Sequence, residues 1–420
     1  MRRNPNTGDI VSLLGYGMMR LPVESGGSGR ENGNSPIDQE EVNRLVDYAL
    51  AHGVNYFDTS PVYCQGHSEN STGIALSRHP RNSYFIATKL SNFSPEVWSA
   101  DESKAIFERS LEYLRTDYID YYLLHSIGGG KDSMATFNGR FMDNGMLDWC
   151  LEQKRIGRIR NLGFSYHGDV RIFDMLLRWH DEGRYHWDFV QIELNYLDWD
   201  FADEINPHNT DARYLYGELE KRGIPAVIME PLLGGRLASP PEAMAAQLRS
   251  MAPDKSAASW AFRFAGSPAG VLTVLSGMTY MEHLVDNVAT YSPLIPLDEE
   301  ELHMLLSLAE KDMYGMEQVP CTGCNYCMPC PYGLNIPRIF SYYNKAVSED
   351  RFPHVMSDDR RTFMRNRKAF LVGYARDIPS DRQADRCIGC NHCVGHCPQR
   401  IDIPAEMQRI DQLIESFKQG

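Results

Sequence analysis

The stretch Ala105-Ile106-Phe107-Glu108-Arg109-Ser110-Leu111-Glu112-Tyr113-Leu114, followed three residues later by Tyr118-Ile119-Asp120-Tyr121-Tyr122-Leu123-Leu124 and then His125, decides how the rest of the chain is read. Apolar residues in the first part recur at helical spacing, and the second part is a near-continuous apolar run of strand length. The same alternation recurs along nearly 300 residues. Strands are expected at Ser12–Gly17, Val54–Phe57, Tyr84–Thr88, Tyr118–Leu124, Arg160–Phe164, Asp188–Glu193, Ala226–Met229 and Val271–Leu275, with helices such as 41–50 between most of them. Eight strand–helix units fit an α/β chain folded as a (β/α)8 TIM barrel. The competing open doubly wound sheet is weakened because no G-x-G-x-x-G follows the first strand.

The segment Leu297–Asp312 reads as a closing helix, after which Cys, Pro and Gly become dense. Two domains are therefore expected: a barrel over residues 1–315 and a C-terminal, mainly helical ferredoxin-like domain over 316–420. That region holds an internal repeat. Its first copy runs Cys321, Cys324, Cys327, Cys330-Pro331 and on to Ile336-Pro337. Its second runs Cys387, Cys390, Cys393, Cys397-Pro398 and on to Ile403-Pro404. The second copy has the C-x2-C-x2-C-x3-C-P spacing of two-cluster ferredoxins, in which the fourth cysteine ligates the other cluster, and the first copy is one residue shorter. Two [4Fe–4S] clusters are expected, one on Cys321, Cys324, Cys327 and Cys397, the other on Cys387, Cys390, Cys393 and Cys330. A pair of zinc sites, each with four cysteine ligands, is the alternative, although zinc ligands normally come as two separated C-x-x-C pairs. His392 and His396 are placed outside the ligand sets, and the lone Cys64 and Cys150 read as neutral, buried thiols.

Composition excludes several classes. The net charge of −14 argues against nucleic acid as partner. No apolar run reaches the roughly 18 residues of a membrane helix, and no apolar segment follows the two N-terminal arginines as a signal peptide would require. A cytoplasmic protein without nucleic-acid or membrane partners is expected.

Catalytic groups of a TIM barrel sit at the C-terminal ends of its strands. Those ends give Asp58, Lys89 and His125, with Tyr63 in the loop after Asp58. A phenol with a pKa of about 10 is a poor acid near neutrality, a nearby ammonium lowers that pKa, and a carboxylate holds the ammonium. A neutral imidazole donates a hydrogen bond to a substrate oxygen. Together these groups suit proton transfer during hydride delivery to a carbonyl.

Three segments carry a family resemblance. They are Phe57-Asp58-Thr59-Ser60-Pro61-Val62-Tyr63 ending in Gly66-His67-Ser68-Glu69, then Ala87-Thr88-Lys89, and then Leu111 through His125. The chain resembles the aldo-keto reductases over residues 10–290, and barrel plus cysteine-rich tail resembles their iron–sulfur-containing branch. The resemblance implies Tyr63 as general acid/base, Lys89 and Asp58 as its tuning pair, and His125 as orienter, acting on a small carbonyl/alcohol substrate. It implies NADPH or NADH as cofactor. Ser165 and Gln191 match carboxamide contacts, Ser276, Gly277 and Met278 the phosphate-binding turn, and Glu282 and Asn287 adenine-side positions. Three positions depart from the pattern: Tyr166 for the second carboxamide contact, Met229 for the nicotinamide-stacking Tyr, and Tyr280 for an Arg on the 2′-phosphate. They motivate an alternative function, an electron-transfer iron–sulfur protein whose barrel has an altered or lost nicotinamide site. In the first reading the clusters are structural or pass electrons to a docked redox partner. Specificity is assigned to barrel loops such as Gly128-Gly129-Gly130-Lys131 and residues 131–147.

Overall fold

Eight parallel strands close on themselves in a computed structural model of the chain, which describes residues 1–28, 35–129, 132–314, 316–349, 351–353 and 359–419. The strands are β1 (Leu14–Gly17), β2 (Tyr56–Asp58), β3 (Phe85–Leu90), β4 (Ile119–Ile127), β5 (Ile159–Tyr166), β6 (Phe189–Glu193), β7 (Ala226–Met229) and β8 (Val271–Ser276). They hydrogen-bond in sequence order, and β8 pairs with β1 to complete the barrel. All eight expected strands are present. Because both faces of such strands are covered, they read as continuous apolar runs rather than as alternation.

The helices between strands start on side-chain caps. Asp38 accepts from the Glu41 N–H before helix Gln39–Ala51, and Ser99 accepts from the Glu102 N–H before helix Ala100–Leu114. One hydrophobic cluster fills the space between strands and helices and extends to Met313. A second, inside the barrel, is made of side chains such as Tyr56, Tyr121, Leu123 and Phe189. A short hairpin, Arg2–Arg3 with Ile10–Val11, lies near the lower end of the barrel, where Asn4 donates to the Tyr121 hydroxyl at 3.0 Å. Its two-residue strands carry no periodicity, so the sequence pattern does not reveal them.

Beyond the helix Glu299–Asp312 a separate hydrophobic cluster begins at Val319. It joins three helices, Ile336–Ser348, Arg360–Asp377 and Ile403–Gln419, through residues such as Phe340, Tyr343, Phe370, Met407 and Phe417. Two of these helices open on the Ile-Pro pairs that end each cysteine repeat, as proline at the first turn allows.

The tail lies over the C-terminal mouth of the barrel. Arg20 donates to the Thr322 carbonyl at 2.7 Å, Gln399 donates to Glu193 at 2.8 Å, and Asn206 donates to the Gln399 backbone and side-chain oxygens. Gly234, at φ +66°, shows how close the approach is: a Cβ there would stand 2.6 Å from the Thr322 Cα. Among the described residues, no helix is long and apolar enough to cross a membrane.

Candidate active site and cysteine centres

Asp58 ends β2, Lys89 sits near the end of β3, and the two meet because these strands pair side by side. Lys89 Nζ donates to Asp58 Oδ1 at 2.7 Å and to the Thr59 carbonyl at 2.8 Å, with both side chains buried. Burial pushes the Lys89 ammonium down and the Asp58 carboxyl up, and the mutual contact opposes both shifts. The ammonium also lies 4.8 Å from the centre of the Tyr63 ring.

His125 lies where β4 slips register against β5, between Leu124 and Ile127, with Ser126 at φ +59°. Bulges of this kind re-aim a side chain. Its Nδ1 is 2.6 Å from the Ser91 hydroxyl, which in turn is 2.9 Å from that of Ser60. Burial, then Lys89, holds the imidazole well below its ordinary pKa, so the ring is neutral.

The tuning of Tyr63 differs from the sequence-based expectation. Burial, followed by the charges of Tyr326 and Asp58, pushes the phenol well above its usual pKa rather than below it. The reason is positional. The Lys89 charge sits beneath the ring and is bound by Asp58, while the tail adds a second phenol at the hydroxyl.

That second phenol is Tyr326, between Cys324 and Cys327 in the first cysteine loop. Its hydroxyl shares a hydrogen bond with Tyr63 and stands 3.5 Å from His125 Nε2. Its ring stacks on Tyr63 with centroids 6.5 Å apart. The pattern of the sequence does not predict this residue, since the contact to His125 spans 201 positions.

A cavity of about 780 Å³ opens above these groups. Asp58, Tyr63 and His125 line it, together with Gln191, Met229, Ser276, Gly277, Glu282 and Asn287. Ser165 and Met278 do not. The Ser165 hydroxyl accepts the Ser126 N–H at 2.9 Å, and the Met278 side chain is buried while its carbonyl accepts from Tyr16. The helix after β8 begins at Met281, with Tyr280 at its N-cap. The residues present fit a nicotinamide. Gln191 Oε1 is buried without a hydrogen-bond partner and borders the cavity, as a carboxamide acceptor would, while its amide nitrogen rests 3.3 Å from the Met229 sulfur. The tail adds Thr322, Cys324, Arg338 and Gln399 to this wall. Tyr166, by contrast, turns its hydroxyl to Thr210.

The eight tail cysteines gather in two sets. Cys321, Cys324, Cys327 and Cys397 line one small hollow, and Cys330, Cys387, Cys390 and Cys393 line another. Each set contains the fourth cysteine of the other repeat. Among the described residues, no group of three or more His, Cys, Asp or Glu converges to hold a single metal ion. The crossing of the fourth cysteine between the two sets follows the two-cluster ferredoxin pattern. Cys64, half-buried, has its thiol raised to about 11 by burial, and Cys150 is fully buried. Gly130 and Lys131 lie outside the described residues.

Comparison with known proteins places these features. The aldo/keto reductase family matches residues 13–310, and the 4Fe-4S dicluster domain matches residues 320–401. L-galactose dehydrogenase of Arabidopsis thaliana is 25% identical over 329 residues, covering 74% of this chain and 94% of its own. D-arabinose 1-dehydrogenase of Saccharomyces cerevisiae is 40% identical over 89 residues, 20% of this chain and 26% of its own. A solved aldo-keto reductase from Klebsiella pneumoniae in complex with NADPH superposes with a TM-score of 0.56 at 20% identity, covering 73% of this chain and 95% of its own.

Proposed function

Since the chain belongs to the aldo/keto reductase family and is an oxidoreductase with a 4Fe-4S dicluster domain behind its barrel, we propose that it reduces a carbonyl, or oxidises the matching alcohol, with Tyr63 as general acid/base and NADPH or NADH as cofactor. One observation carries this reading. Asp58, Tyr63 and His125 border the same cavity as Gln191, Ser276 and Asn287, with Lys89 locked to Asp58 beneath the Tyr63 ring.

Gln191, Ser276, Gly277 and Asn287 would hold a nicotinamide cofactor, which would supply the hydride. The protein's own part is orientation and proton transfer. With the Ser91 hydroxyl donating to Nδ1, His125 keeps its proton on Nε2 and offers it to the substrate oxygen. Tyr63, protonated at neutral pH because its pKa is raised, delivers its hydroxyl proton to that oxygen as it becomes an alkoxide. Lys89, held in place by Asp58, lies beneath the ring, 4.8 Å from its centre. Gln191 orients the carboxamide through its unpartnered oxygen.

The two cysteine sets support two [4Fe–4S] clusters with crossed fourth ligands: Cys321, Cys324, Cys327 and Cys397 for the inner one, and Cys387, Cys390, Cys393 and Cys330 for the outer. A second reading, an electron-transfer protein with an altered barrel, is favoured by the position of Tyr326. Its hydroxyl meets the two side chains a substrate oxygen would meet, and the adjacent Cys324 lines the same cavity.

The readings separate in an anaerobic titration of the iron-loaded protein with NADPH and NADH, followed by intrinsic fluorescence. Saturable binding of either supports the reductase, and no binding of either supports the electron-transfer reading. Tyr63→Phe is expected to lower carbonyl reduction by about 10²–10⁴-fold with cofactor binding unchanged. Retained turnover would remove Tyr63 as proton donor.

A further inference from the structure

A second cavity, of about 880 Å³, lies between barrel and tail on the other side of Tyr326. Met19, Arg20, Cys324, Tyr326 and Pro398 border both cavities, so the two meet at Tyr326 and its neighbours. The barrel contributes a floor that includes Phe93, Ser126 and Arg140, and the two cysteine loops contribute the roof.

On its barrel side the charge of this cavity is one-sided. Arg20 and Arg140 line it, and among its described lining residues there is no Asp or Glu. This occurs in a chain whose acidic residues outnumber its basic ones by 14. Arg140 is the most telling of them. Its side chain is 3% exposed, and its guanidinium donates to Asn92 Oδ1 at 3.1 Å, the Ser126 carbonyl at 3.4 Å and the His125 carbonyl at 2.6 Å. Faces of Phe93 and Phe141 lie 4.9 and 4.6 Å from it. Those are neutral partners, and among the described residues no carboxylate pairs with it. A buried charge without a counter-ion is costly, and neutral dipoles and aromatic faces offset only part of that cost. Burial alone moves this guanidinium down to about 9.

The backbone points the same way. Residues Asn138–Met142 form a π-helical turn, closed by the Asp143 N–H on the Asn138 carbonyl at 2.9 Å. Such turns interrupt α-helices most often at functional sites, and this one carries Arg140 at its centre, against the carbonyl of His125.

We propose that this cavity is the substrate pocket and that it takes carbonyl compounds bearing an oxyanion, carboxylate or phosphate, seated on Arg140. The assignment rests on the reductase reading above and adds the substrate class to it. The anion pairs with a guanidinium that, among the described residues, has no carboxylate partner. Because Arg140 grips the backbone of His125, the anion and the reacting carbonyl sit a few bonds apart in the substrate. The carbonyl oxygen reaches Tyr63 and His125 by taking the place of the Tyr326 hydroxyl.

The test uses the anaerobic, iron-loaded, full-length chain and calorimetric binding, so that it is read apart from turnover. The probes are 4-oxopentanoate with its methyl ester, and dihydroxyacetone phosphate with dihydroxyacetone. At least one anion should bind ten-fold or more tightly than its neutral counterpart, and the arm that shows the preference identifies carboxylate or phosphate. Arg140→Gln should erase the preference. Thr136→Glu provides an independent check, since it sets a carboxylate one helical turn before Arg140 and neutralises the charge without removing the guanidinium; it should erase the preference even if Arg140→Gln fails to fold. Equal binding of anion and neutral partner in both arms, no measurable binding of either anion, or a preference that survives in Thr136→Glu overturns the proposal. Failure of the reductase reading looks different: neither NADPH nor NADH would then bind, whatever the anion preference.

Discussion

The barrel groups and the tail loop that meets them reach the same small volume by different means. Asp58, Lys89 and His125 are fixed on adjacent strands whose backbone hydrogen bonds set their spacing. Tyr326 is fixed by a loop with no regular secondary structure, held between cysteines that gather around a hollow. One half of the site is therefore stabilised by the barrel core. The other half depends on what the cysteines bind, because the tail's own hydrophobic cluster is built mainly on its helices, with the loops packed at its edge. The lesson is that the candidate pocket is only as complete as the cysteine loops that roof it.

Stripping iron is the most forceful way to break this comparison. Metal-site binding energy is folding energy when the site does not pre-exist in the unfolded chain. Chelation under reducing conditions is expected to expose residues 316–420 to limited proteolysis while the barrel stays resistant. Simultaneous cleavage throughout the barrel would show that the two halves do not differ in this way.

Within the barrel, Asp58→Asn strands the Lys89 ammonium in an apolar setting. A loss of about 3–5 kcal/mol is expected for one partner of a buried pair, read by denaturant unfolding, with iron content unchanged.

The fold and the gathering of two groups of side chains were largely legible in the sequence for reasons that are local. Strand-length apolar runs end on Asp58, Lys89 and His125, and cysteine spacing is itself a geometric statement. What was not legible depends on contacts between distant segments. Tyr326 meets His125 across 201 positions and Gln399 meets Glu193 across 206, and neither carries a periodic or compositional mark. Arg140 looked like an ordinary charged residue because its isolation from carboxylates exists only in three dimensions. Ser165 matched a carboxamide contact by position, and its hydroxyl also accepts the Ser126 N–H at the bulge that aims His125, a contact the sequence does not announce. The raised pKa of Tyr63 was missed for the same reason, since its second-ranked cause, Tyr326, comes from the tail.

A pH measurement sharpens the barrel side. Burial raises the Glu69 carboxyl to about 7, and Thr88 donates to it at 2.5 Å. Its folded pKa is above its unfolded one, so its contribution to stability is full below the unfolded value and is lost as pH rises through about 7. Glu69→Gln should remove a decline of about 3 kcal/mol from the pH–stability curve between the two values. An unchanged curve would show that the carboxyl is not the source.

Gly234→Ala probes the seam itself. The new Cβ meets Thr322 at 2.6 Å in a left-handed backbone conformation, at a cost of about 1–2 kcal/mol. The tail should become more susceptible to proteolysis near residue 322 while barrel unfolding moves little.

The most direct test of the central claim follows where the hydride goes. Iron-loaded protein is mixed anaerobically with a carbonyl substrate and NADPH or NADH deuterated at both C4 positions, and the alcohol is analysed by mass spectrometry. Reduction at the Tyr63–His125 site predicts one deuterium on the former carbonyl carbon, and little product of any kind from Tyr63→Phe. Alcohol formed without deuterium would mean that electrons arrive singly through the clusters and protons from water, which would contradict the account.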